Sequence, residues 1–205
     1  MHPARPFRET DVATLVARAR VHSFALVCAT QDGRVMAAHA PILIDETGGK
    51  VALRFHLSAN NAVTAALQSG SRALIVFTGP DAYISPDWYG MDDQVPTWNY
   101  LSAEAEGPVT PMDDAGATQI LDDLSSLHEA TLSPKPEWTR NKMTPGRFES
   151  MLRGIRAFTL VPERFEGTTK LGQNKPAEAR AGVIASLSPR EDGIAIAEEM
   201  RKHTS

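Results

Sequence analysis

The sequence predicts a mainly β fold with peripheral helices (α+β), an antiparallel barrel of six or seven strands. Three observations carry this. Apolar runs at 23–30 and 34–44 flank Asp32-Gly33, and Asp-Gly between two such runs is a hairpin signal because the turn needs positive φ. A second turn, 45–49, leads into Val51-Ala52-Leu53-Arg54-Phe55-His56-Leu57, whose alternation predicts a strand with one face on a core. Only one strand–helix–strand unit is readable, at 51–78, so a doubly wound parallel sheet is the poorer account.

The elements follow in order. Val12, Leu15, Val16 and Ala19 have helical spacing, so 10–20 is an amphipathic helix capped by Thr10, with Arg18 and Arg20 at the negative end of its dipole. Asn60 or Asn61 caps a short helix through Leu67, and Gly70 lies where a helix-ending glycine belongs. Residues 72–78 form a strand, 79–96 a turn-rich stretch, and 97–106 another strand. A helix over 113–132 carries Ile120, Leu121, Leu124 and Leu127 on one side. Three prolines make 133–146 a loop. A short helix at 148–153 and strands at 155–161 and 164–171 precede helices at 176–187 and 190–202, the last weakened by Gly193 and expected to dock loosely. The barrel core is expected to hold Phe24, Leu26, Leu53, Phe55, Leu74 and Val76. The whole chain, 1–205, reads as one domain with a C-terminal helical extension from about 176.

Composition narrows the function classes. With 42% hydrophobic and 22% charged residues the chain is globular, and the single cysteine, Cys28, allows no intramolecular disulfide. Cys28 lies in an apolar strand and reads as a structural thiol. The start lacks a signal-peptide stretch and no window approaches a membrane span, so a cytoplasmic protein is expected. Net charge is −4, distributed as −8 over 1–133, +5 over 134–175 and −1 over 176–205. The overall sign disfavours nucleic acid. The basic segment either faces an anion or is an ordinary solvated surface.

Nucleotide-loop, zinc-protease and nucleophile-elbow motifs are missing from the sequence. His39 and His56 each fall in a predicted strand, where an imidazole either completes a structural hydrogen bond or contacts a ligand. Tyr83, Trp88, Tyr89, Trp98 and Tyr100 cluster within one proline-stiffened stretch. Such rings suit a planar ligand, a subunit interface or a loop packed over its own core. Lys170-Leu171-Gly172-Gln173-Asn174-Lys175-Pro176 sets cations and amides ahead of a helix, a donor set for anionic oxygens or plain helix-start chemistry.

Together these segments resemble the PaiB-like negative transcriptional regulators. The likeness rests on Gly79 through Tyr89 (GPDAYISPDWY), Val95 through Tyr100 (VPTWNY), Lys170 through Asn174 (KLGQN), Arg180 through Ile184 (RAGVI), His39 through Leu43 (HAPIL) and Phe55-His56-Leu57. It implies a split β-barrel of the FMN-binding type, shared with flavin reductases and pyridoxamine oxidases. It also implies a homodimer with FMN between subunits, and negative regulation of protease synthesis and sporulation genes. On this reading the FMN phosphate lies near Ser58, Asn60 and Asn61, at a helix start with free N–H groups. The ring lies near His39, Pro41 and His56 and an aromatic wall of Trp88, Tyr89 and Trp98. Lys170, Gln173 and Asn174 supply further donors. Two positions depart from the family pattern: Gly172 replaces its usual serine and Asp81 its usual histidine, changes that weaken or retune flavin binding. The alternatives are a flavin-dependent oxidoreductase of unknown substrate and a ligand-free dimeric scaffold acting through protein partners. No helix-turn-helix is readable, because the helix at 10–20 runs directly into a strand, so DNA binding has no motif behind it and any regulatory effect would be indirect.

Overall fold

The structure is a computed structural model describing residues 4–203. In chain order its elements are β1 (Arg8–Glu9), α1 (Val12–Val21), β2 (Phe24–Gln31), β3 (Arg34–Pro41), β4 (Leu43–Thr47), β5 (Lys50–Ser58), α2 (Ala62–Gln68) and β6 (Arg72–Ile84). There follow β7 (Thr97–Pro111), α3 (Asp114–Glu129), α4 (Arg147–Leu152), β8 (Ile155–Leu160), β9 (Arg164–Lys170), α5 (Ala177–Leu187) and α6 (Ile194–Lys202). The hydrogen-bonded strand order is β3-β2-β6-β7-β8-β5-β4, with β9 pairing β1 and β7. Every register described is antiparallel, as the hairpin signals require. No helix among the described residues is long and apolar enough to cross a membrane. The chain divides into two compact units.

The sheet unit comprises Ala19–Phe77 and Glu104–Phe165. Asp32 and Gly33, both at positive φ, close the β2–β3 hairpin in the register Gln31↔Arg34. The run expected as one strand over 34–44 is two. It breaks at Ile42, whose N–H donates to the Ser23 carbonyl (2.8 Å), so that β3 pairs with β2 while β4 pairs with β5. β3 and β5 also touch, which curls the sheet. Inside, Leu53, Phe55 and Leu57 of β5 face Phe158 and Leu160 of β8, and the Phe55 and Phe158 rings stack at 5.6 Å. On the other face, α3 covers Leu43 and Ala157 with Ala117, Ile120 and Leu124. Arg54 fixes that layer: it grips Asp45 through Nε (2.5 Å) and a terminal nitrogen (2.9 Å), and reaches Asp123 of α3 at 2.9 Å.

Leu53 and Phe55 are in the core as expected, but Phe24, Leu26, Leu74 and Val76 are not. Phe24 is 69% exposed and the other three are half-buried, while Ala25, Val27, Ala29, Ala73, Ile75 and Phe77 fill the interior. The physical reason is that β2 and β6 are apolar on both faces, so alternation fixes their period without fixing its phase. The barrel interior takes the smaller side chains of β2 because the phenylalanines of β5, β6 and β8 already fill it.

The terminal unit comprises the chain up to Arg18, Thr78–Ala103, and Glu166 onward. β6 and β7 are longer than expected. β6 continues past Thr78 through Gly79 and Pro80, because Gly79 lets the backbone pass Leu101, whose carbonyl would stand 2.9 Å from a Cβ there. The core gathers Ile84, Tyr89, Leu101 and Leu171 with Val183 and Leu187 of α5 and Ile196, Ala197 and Met200 of α6. The expected loose docking of the last helix is corrected. Gly193 is buried where α6 meets Leu187, a Cβ there would lie 2.7 Å from the Leu187 carbonyl, and Ile196, Ala197 and Met200 of α6 are fully buried. Buried Arg18 donates to the carbonyls of Ser102 (2.6 Å) and Thr168 (3.0 Å) and to Thr169 Oγ1 (2.7 Å), tying α1 to β7 and β9. Buried Arg180 donates to the Met200 and His203 carbonyls (3.0 and 3.1 Å), closing the negative end of α6.

Candidate functional site

The candidate residues fall into separate groups, of which the most developed lies in the terminal unit. There β7, β9 and the turns after Tyr89 and Lys170 enclose a polar cavity of about 270 Å³ lined by Tyr89, Thr97, Asn99, Lys170, Asn174 and Lys175, among others. Lys170 Nζ donates to Thr97 Oγ1 (2.5 Å) and stands 6.0 Å from the Phe7 ring. Lys175 Nζ donates to Gln94 Oε1 (2.5 Å) and lies 5.2 Å over Tyr89. Among the described residues neither ammonium is in an ion pair. Burial pulls the Lys170 pKa down and pushes the Tyr89 phenol up. Asp93 also lines the cavity, and neither cation pairs with it, so two ammoniums held by neutral oxygens and aromatic faces leave a net positive charge available to an anion.

The turn between β9 and α5 explains this placement. Gly172 has φ +68, a conformation L side chains rarely adopt, and its carbonyl accepts from Lys175 N (2.9 Å), turning Lys175 back toward Lys170. A hydroxyl is absent at this position, but the turn itself favours glycine. Gln173, expected as a ligand donor, spends its amide on the protein. Its Oε1 accepts from Leu171 N (2.8 Å), and its Nε2 donates to the carbonyls of Thr169 (2.5 Å) and Pro6 (3.0 Å). Asn174 is exposed and lines the cavity.

The aromatic cluster splits. Tyr89 is buried, and Trp88 packs on the terminal core with the Arg190 guanidinium 5.9 Å from its ring. Trp98 is 53% exposed and meets Tyr83 edge-on at 6.2 Å. In the sheet unit, His39 is exposed and stacked on Phe24 at 5.5 Å, with Pro41 paired across from Phe24. Asn61, not Asn60, caps α2: its side chain accepts from Val63 N (2.9 Å). The Ser58 carbonyl accepts from Thr64 Oγ1 (2.8 Å) and from Asn61 N (3.0 Å), so this turn is already closed by its own bonds.

His56 faces the α3 side of β5, opposite Ala157, and its Nδ1 has no partner among the described residues. Burial lowers its pKa. An imidazole whose folded pKa lies below its unfolded value, about 6.5, costs no stability above that pH and destabilises as pH falls through the folded pKa. Chemical denaturation of wild type is therefore expected to show stability declining below about pH 6.5, with the decline reduced in His56→Leu. Identical acid limbs in the two proteins would contradict this.

Lys175 stands in the donor run that the sequence singles out but was not among the residues assigned to the flavin. Its signal was present, a second lysine within the same polar turn, but only the reversal at Gly172 brings the two ammoniums to one cavity.

Comparison with known proteins gives the family and the fold. The family described as "Putative FMN-binding domain" matches residues 1–164. The chain belongs to this FMN-binding family. It is 26% identical over 192 residues, 94% of this chain and 91% of the relative, to "Protease synthase and sporulation protein PAI 2" of Bacillus subtilis. That match extends past residue 164 and so beyond the family segment. An uncharacterized protein of Saccharomyces cerevisiae is 28% identical over 123 residues, 57% of this chain and 72% of the relative. Among solved structures, the flavocytochrome Anf3 of Azotobacter vinelandii superposes with a TM-score of 0.63 at 13% identity, over 88% of this chain and 78% of that one. The FAD and heme binding protein of Mycobacterium smegmatis gives 0.58 at 19% identity, over 85% and 78%. The FMN-binding family member thus has the antiparallel split-barrel fold of these proteins.

Proposed function

We propose that this family member binds FMN and acts, as a homodimer, as a negative regulator of the PAI 2 kind. The observation that carries the ligand is the lysine cavity. Lys170 and Lys175 face one space without carboxylate partners, and Asn174 adds an amide. This donor set fits the phosphate dianion or the ring and ribityl oxygens of a flavin, through charge-assisted hydrogen bonds. When bound, FMN supplies one- or two-electron redox chemistry, and the protein's part is to hold and orient it. Within the sheet unit, the α2 start and the Phe24–His39 face are proposed separately as contacts for a flavin's phosphate and ring. Titration of FMN into wild type and Asn61→Ala, followed by flavin absorbance, tests the ligand and the α2 contact. Saturable binding weakened in Asn61→Ala is expected, and no binding by wild type would favour a scaffold without cofactor.

Support for the dimer comes from the outer face of β3-β2-β6. Phe24, Leu26, Cys28, Leu74, Val76 and Val35 share this face by strand register, and Phe24 and Val35 are 69% and 72% exposed. A sheet face this apolar favours burial against a partner, and isologous pairing of two copies is the commonest solution. Light scattering is expected to give twice the 22.2 kDa chain mass. A monomer mass at micromolar concentration would overturn the dimer without touching the ligand reading.

A further inference from the structure

We infer that the lysine cavity takes the imide edge of the flavin ring and that Asn99 recognises its N3–H, an inference that rests on the FMN reading above. The cavity volume of about 270 Å³ falls just short of the roughly 300–1,000 Å³ of sites that hold a whole small molecule. It therefore holds one end of an FMN. The two polar ends differ in hydrogen bonding. A phosphate dianion presents acceptors alone, whereas the pyrimidine edge presents the C2 carbonyl, N3–H and C4 carbonyl, which is acceptor, donor, acceptor.

Asn99 distinguishes these ends. It is 1% exposed, lines the cavity, and lies two residues along β7 from Thr97, on the same face of the strand. Its one polar contact among the described residues is a weak one, from Nδ2 to Met200 Sδ at 3.5 Å. A thioether sulfur has no proton to give, so this contact fixes the amide with its nitrogen toward Met200 and leaves Oδ1 unspent. The space beside the amide is open: a Cβ on Gly172 would meet nothing nearer than Asn99 Nδ2, at 3.9 Å. A buried amide oxygen gains from a ligand N–H and is repelled by a phosphate oxygen.

Donors for the two ring carbonyls line the same cavity. An ammonium has three N–H donors, and Lys170 and Lys175 each spend one, on Thr97 and Gln94. Asn174 adds its amide. Two cations against one acid, the exposed Asp93, leave the lining at +1, which favours carbonyl oxygens and disfavours a cationic ligand.

Fluorescence titration of the full chain with FMN, lumiflavin and N3-methyllumiflavin tests this. Lumiflavin keeps the ring and lacks the ribityl phosphate. Lys170→Ala is expected to weaken FMN and lumiflavin by the same factor, because the lost contact is to the ring. Methylation at N3 removes the donor and is expected to weaken wild-type binding by at least about tenfold. Asn99→Ala removes the acceptor and leaves room for the methyl, so it is expected to bind the two lumiflavins alike. Should Asn99→Ala fail to fold, the methyl penalty in wild type and the Lys170→Ala comparison still decide. Three results would each overturn the imide edge while leaving FMN bound: Lys170→Ala weakening FMN alone or neither flavin, wild type binding FMN but not lumiflavin, or wild type binding both lumiflavins equally. A wild type that binds no FMN overturns the FMN reading itself.

Discussion

Arg18→Met is expected to lower the melting temperature by about 6–12 °C, the largest stability effect of any single polar side chain in the terminal unit. Methionine keeps the apolar stem but removes the three hydrogen bonds that the guanidinium donates to the Ser102 and Thr168 carbonyls and the Thr169 hydroxyl. Hydrogen bonds from a charged donor are worth about 1.5–3 kcal/mol each, and partial replacement of the three by other partners brings the loss to about 3 kcal/mol. At this chain length 1 kcal/mol shifts the midpoint by about 2–4 °C. Arg34→Met, on the exposed end of β3, is the control and is expected to melt like wild type. Equal midpoints for both variants would show that the Arg18 bonds are replaced by water.

Lys170→Ala is expected to weaken FMN binding by about 10–100-fold, the loss of one charge-assisted hydrogen bond to an anion. Lys170→Arg is expected to retain most of the affinity and to differ in its pH profile. Burial holds the Lys170 pKa below the usual lysine value, and a bound anion favours the charged form. Wild-type affinity should then fall as pH rises through that lowered pKa, while the arginine variant stays flat. Lys175→Ala, at the second ammonium, should add to the loss if both cations touch the same ligand. Equal affinity in wild type, Lys170→Ala and Lys175→Ala would remove the cavity from the FMN reading.

Much of the candidate site was legible because its residues are chemically conspicuous. Lys170 and Asn174 stand in a polar run, and the aromatic stretch announces itself by composition. What sequence could not assign was which polar groups are free. Gln173 looks like a ligand donor beside Asn174, yet its amide closes the turn on Leu171, Thr169 and Pro6. Asn60 and Asn61 are alike as letters, but only Asn61 caps α2. Arg180 stands in a quoted family motif with no visible role, and in the structure it closes α6, 20 residues away, through the Met200 carbonyl. Hydrogen-bond partners distant in sequence leave no local pattern to read.

By itself the sequence determined the antiparallel sheet, since Asp32-Gly33 and Gly48-Gly49 demand tight reversals, and it determined the inward face of β5, where polar Arg54 and His56 separate Leu53, Phe55 and Leu57. Tertiary structure alone decided the inward face of β2 and β6. Their side chains are apolar on both sides, so transfer free energy hardly distinguishes the two phases. Close packing against Phe55 and Phe158 does distinguish them, because it admits Ala25, Val27 and Ile75 to the interior and leaves Phe24 outside.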